Sequence, residues 1–235
     1  MKRMVVLLAA LVAVMLGSFA LPVFADEPTA AERVVALKAY LSESKTVLRQ
    51  YEWTETIIVS IDGQENCRMQ HHCYYGADGT VQYESMGQKA SQNNDYVGCD
   101  KSNLAGKKEL NIYIQDVLRL IRQYIPLNPS GIQAVTENGK LSFNITDPAK
   151  RGRLTIRDFV LNGDRVDVDL DLTSNTPLSL NINSYYNSKR DPLTVAVTFG
   201  SLYGSATFAR EMVLESRPNK LKLTLQNTKF QKMAQ

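Results

Sequence analysis

The chain has 235 residues, of which 44% are hydrophobic and 22% charged, and its formal net charge is +3. That length suffices for one sizeable core in a single domain. Acidic and basic residues are interspersed, and so small a basic surplus excludes the phosphate-binding surface that a nucleic-acid partner requires.

The first element is an export signal. Lys2 and Arg3 precede an almost unbroken apolar run from Val5 to Leu21, and Val23-Phe24-Ala25 supplies small residues for a cut after Ala25. The alternative is an uncleaved membrane anchor, for which the run is short of the roughly 20 residues a spanning helix needs. Cleavage leaves residues 26–235, with a charge near +1 because the removed segment holds two basic residues and no acid. No cysteine stands at the cut, so the expected product is a soluble exported protein and not a lipoprotein.

After a short polar leader, residues 30–50 read as a helix with Val34, Leu37, Leu41 and Leu48 on one stripe. The segment 51–61 is rich in β-branched and aromatic residues and predicts a strand. Asp62-Gly63 marks a hairpin turn, and residues 65–75 form the return strand. A turn at 77–80 leads to a third strand ending near Ser85. Residues 86–106 read as a long polar loop, a candidate hinge or partner contact. A second helix over 107–125 carries a broad apolar face, Pro126 stops it, and a short third helix runs from 128 to Gly139. Six or seven strands follow, near 140–146, 152–159, 164–172, 177–186, 192–200, 206–215 and 220–228. Val166, Val168 and Leu170 alternate there with Asp167, Asp169 and Asp171, so one face meets the core and the other water. A sheet of nine or ten antiparallel strands curls or closes. The predicted fold is therefore α+β: a strongly curved antiparallel sheet enclosing a buried helix or two.

Three cysteines, Cys67, Cys73 and Cys99, are present in a chain read as exported. Cys67 and Cys73 share one strand, where six residues span roughly 20 Å, too far for a disulfide. Any intramolecular bridge then joins Cys99 to one of them, with Cys73 preferred. On that strand Cys67, Met69, His71 and Cys73 point to one face, a set of soft ligands that would need a third group, such as Cys99, to hold a metal. No metal clip of the usual spacing is present, and no metal or cofactor is expected. Gly200-Ser201-Leu202-Tyr203-Gly204 misses the nucleophile-elbow pattern, so no catalytic residue is assigned. The aspartate row at 167, 169 and 171 reads as a solvated face opposite lysines such as Lys220 and Lys222, with calcium ligation as its alternative.

The segments Tyr51-Glu52-Trp53-Thr54-Glu55-Thr56, Cys73-Tyr74-Tyr75-Gly76-Ala77-Asp78-Gly79 and Asn162-Gly163-Asp164, in this order of elements, carry a resemblance. The chain resembles the periplasmic lipoprotein-carrier superfamily with the LolA/LolB-like fold, and within it a family of exported bacterial proteins without assigned function. The resemblance covers most of the mature chain. It implies an unclosed barrel whose helical lid covers an apolar cavity for acyl chains.

The residues themselves offer Trp53, Ile57 and Val59 on the first strand, and Tyr113, Val117 and Ile121 on the second helix, as a ligand-binding set. The competing explanation for each is ordinary core packing. The expected function is non-enzymatic binding of a lipid or an acylated protein by a monomer, with an envelope protein as a further partner. The alternatives are an envelope interaction module whose core fills itself, and a metal- or redox-handling protein built on the Cys67–Cys73 strand.

Overall fold

The computed structural model describes residues 28–86, 108–127, 129–147, 150–203 and 206–233. The proposed signal, the loop expected at 86–106 (except for Met86) and Cys99 lie outside the described residues.

Helix α1 (Ala30–Leu48) begins at a reciprocal cap: the Glu32 amide donates to Thr29 Oγ1 at 3.3 Å, and the Thr29 amide donates to Glu32 Oε2 at 2.7 Å. Three strands follow, β1 (Tyr51–Ile61), β2 (Gln64–Tyr75) and β3 (Val81–Ser85). Asp62 and Gly63 both take positive φ, 51° and 80°, as a tight hairpin of this hand requires. Helices α2 (Lys108–Ile121) and α3 (Pro129–Glu137) come next. The chain ends in seven strands: β4 (Leu141–Asp147), β5 (Arg151–Arg157), β6 (Arg165–Asp171), β7 (Pro177–Tyr185), β8 (Pro192–Leu202), β9 (Ala206–Ser216) and β10 (Leu221–Lys232). α2 ends at Ile121, short of the predicted 125, and residues 122–124 form a turn ahead of the cis Ile125–Pro126 bond. No helix among the described residues is long and apolar enough to cross a membrane.

All ten strands form one antiparallel sheet in the order β3-β2-β1-β10-β9-β8-β7-β6-β5-β4. The first strand of the N-terminal meander, β1, pairs with the last strand of the C-terminal one, β10, as the third and fourth strands from the β3 edge. β3 and β4 remain as edges, so the barrel is unclosed.

Register converts the alternation of each strand into continuous apolar rows. One row runs Ile156, Val166, Ile182, Val195, Leu214, Leu223, Val59 and Cys67 across eight strands. The next runs Leu154, Val168, Leu180, Val197, Met212, Leu225, Ile57 and Met69. Every one of these side chains is buried. The helices cover the same face: α2 buries Ile114, Val117, Leu118 and Ile121 at helical spacing, α1 buries Val34 and Leu37, and α3 buries Ile132 and Val135. A smaller cluster of Leu48, Leu202 and Ala206, flanked by Tyr51, Tyr75, Phe208 and Phe230, closes the end of the sheet where α1 stops.

The aspartate row is a cross-strand arrangement on the opposite face. Arg153 Nε lies 2.7 Å from Asp169 and Arg165 Nε 2.9 Å from Asp167, while Lys220 pairs instead with Asp62 at 2.7 Å. The basic partners therefore come from β5 and β6, and not from the lysines near β10, because β6 pairs with β5 and β7.

Candidate functional site: a cavity between the helices and the concave sheet

Beyond the two apolar rows the concave face changes character. The next positions along β1, β2 and β10 are Glu55, His71 and Asn227, which are mutual neighbours in register. Beyond them stand Trp53, Cys73 and Tyr83 on β1, β2 and β3. Over this region the helices leave a cavity of about 850 Å³. Its volume lies towards the upper end of the range for small-molecule sites.

One wall is α1, which presents Leu41, Ser44, Lys45 and Leu48. A second is the end of α2 and the segment after it, with Leu118, Ile121, Arg122, Ile125 and Leu127. The sheet supplies Leu180, Met212 and Leu225 at the inner end, and Trp53, Tyr75, Phe208 and Phe230 at the end where α1 stops. These aromatic rings contact one another: Trp53 stacks on Phe230 at 5.6 Å between centroids, and Phe208 meets Phe230 at 4.2 Å.

The polar groups inside are tied to each other. Trp53 Nε1 donates to Asn227 Oδ1 at 3.1 Å, and Asn227 Nδ2 donates to the Ala209 carbonyl at 2.8 Å. Arg122 Nη2 donates to Glu55 Oε1 at 3.2 Å, and the guanidinium lies 3.8 Å from the centroid of the Tyr83 ring. His71 Nδ1 stands 3.7 Å from the same Glu55 oxygen. Burial, reinforced by the nearby Glu55 charge, pushes the Cys73 thiol up to about 12, so it stays protonated and is a poor nucleophile. Burial likewise raises the Tyr83 hydroxyl.

The six residues expected to bind ligand separate into two groups. Trp53 and Ile121 line the cavity. Ile57, Val59 and Val117 are fully buried in the main core. Tyr113 is half-buried, and its hydroxyl bonds with Asp191 Oδ1 at 3.0 Å and Ser216 Oγ at 2.8 Å, beside the turns at the other end of the sheet. These four are not among the cavity's lining residues. Sequence reasoning missed Glu55 and Arg122. Glu55 did leave a signal, a carboxylate at an inward position of the alternation Trp53, Glu55, Ile57, Val59. Arg122 left none, since it lies just beyond the helix.

The cysteines differ from expectation. Cys67 is disulfide-bonded, whereas Cys73, the preferred partner, is a buried free thiol. Cys73 sits between Trp53 and Tyr83 in register, and its thiol is directed to the His71 carbonyl at 3.8 Å. Cys67, Met69, His71 and Cys73 do share the concave face, while His72 points outward. Among the described residues no three His, Cys, Asp or Glu side chains are grouped to hold a metal ion.

No protein-family model matches the sequence, and no curated protein matches it. Solved structures do match the chain. A LolA superfamily protein from Nitrosomonas europaea is 8% identical, with a TM-score of 0.41 over 85% of this chain and 94% of that one. A DUF1329 family protein from Desulfovibrio piger is 10% identical, with a TM-score of 0.40 over 85% of this chain and 93% of that one. A Vibrio parahaemolyticus domain named for outer membrane lipoprotein sorting is 10% identical, with a TM-score of 0.40 over 88% of this chain and 94% of that one.

Proposed function

We propose that this protein is a non-enzymatic binder of a hydrophobic group, a lipid or the acyl chain of a modified protein, exported to the periplasm after cleavage at Ala25. The observation that carries this reading is the cavity of about 850 Å³, with aliphatic and aromatic walls and internally bonded polar groups. With Trp53 bonded to Asn227 and Arg122 to Glu55, burial of apolar surface is the main source of affinity. Each methylene moved from water into such a site contributes about 0.8 kcal/mol. The protonated Cys73 thiol supports a binding role over a covalent one.

The test is native mass spectrometry of residues 26–235 purified from an envelope fraction without detergent. The expected result is a mass excess matching a lipid or acyl species that organic extraction removes. A bare polypeptide mass that takes up no added fluorescent fatty acid contradicts the proposal and favours an interaction module with an unfilled cavity. An excess near one zinc or copper contradicts it in favour of metal handling.

A further inference from the structure

We infer that the ligand is an amphiphile with an anionic head, its apolar tail inside the cavity and its head at Lys45. This rests on the apolar-cavity reading above and adds to it the orientation of the ligand and the sign of the head.

Orientation and sign follow from where charge is compensated. Lys45, Glu55 and Arg122 are the charged residues among the described lining. Glu55 and Arg122 form an ion pair at 3.2 Å, with side chains 8% and 24% exposed. Trp53 Nε1 is satisfied by Asn227 beside them. A charged head entering this interior would have to break one of these bonds, so the end that enters is apolar. Lys45 is exposed, lies on the same stripe of α1 as Leu41 and Leu48, and forms no ion pair among the described residues. The carbonyl end of α1 takes up part of its charge, as it does for any basic side chain in a last turn. An anionic head at the rim meets that ammonium, and a cationic head is repelled.

Calorimetric titration with three chain-matched probes below their micelle concentrations tests this: dodecanoate, dodecyl maltoside and dodecyltrimethylammonium. Dodecanoate is expected to bind about tenfold more tightly than the cation, a ratio that shrinks with added salt. Lys45→Gln is expected to weaken dodecanoate about threefold, as for a partly exposed ion pair, and to leave the maltoside unchanged. Equal affinities for the three heads, or a Lys45→Gln protein with the wild-type ratio, overturn the head assignment and leave the apolar cavity standing. Binding of none of the three overturns both readings. A role for Lys45 confined to the end of α1 would leave every affinity unchanged.

Discussion

A carboxylate on the concave face of a sheet has to be compensated, and Glu55 is compensated by the Arg122 guanidinium at 3.2 Å. Because Arg122 follows α2 and Glu55 lies on β1, the pair ties a helix end to the sheet across the cavity. Removing one partner leaves the other desolvated. Glu55→Gln is therefore expected to lower unfolding free energy by about 1–3 kcal/mol in urea titration. A Glu55→Gln protein as stable as wild type would show that the pair contributes nothing net. The reach of sequence reasoning is clearest at this scale. Alternation identified which β1 side chains face inward, and Trp53, Glu55, Ile57 and Val59 all do. It could not tell that Trp53 borders open space while Ile57 and Val59 lie under packed helices, because depth along a strand depends on where the helices stop. The cysteines show the same gap: strand spacing excluded a Cys67–Cys73 bond, yet which thiol is bonded depended on parts of the chain whose path no periodicity describes.

At the scale of elements, turns were legible and pairings were not. Asp62-Gly63 and the Pro-bearing turns bound strands close to their predicted ends, because positive φ and the missing proline N–H are properties of single residues. The cross-strand basic partner of the aspartate row depends on which strands are neighbours, and only the sheet order reveals Arg153, whereas Arg165 stands two residues before Asp167 on the same strand. Pairing also creates a pH-sensitive clamp on the convex face. His72 of β2 lies between Glu52 of β1, at 3.0 Å, and Glu84 of β3, at 3.4 Å. Burial favours the neutral imidazole, but the hydrogen bonds and charges of the two carboxylates outweigh it and raise the His72 pKa above 6.5. A group raised in the folded state stabilises fully below its unfolded pKa and loses that contribution as pH rises through the folded value. The urea midpoint is therefore expected to fall between pH 6 and pH 8, and His72→Gln to flatten that fall. An identical pH dependence in the variant would assign the effect to other groups.

The whole molecule is a curved sheet whose two ends are finished differently. Towards the Asp62 turn the concave rows are apolar and covered by helices, and towards the end of α1 they become polar and aromatic and leave a cavity. Filling that space separates binding from folding. Ala209 borders the cavity, and Ala209→Leu is expected to displace about two methylenes of ligand, weakening an acyl chain about tenfold with little change in the urea midpoint. Unchanged affinity in a normally folded variant would place the chain elsewhere. The chain also carries its own reporter, because Trp53 is its single tryptophan and lines the cavity. The most direct measurement is Trp53 fluorescence during titration with a fatty acid brominated along its chain, against the same acid without bromine. Saturable quenching by the brominated acid alone, displaced by excess unbrominated acid, is the result expected of an acyl chain within the cavity. Emission that responds equally to both acids, or to neither, would contradict it.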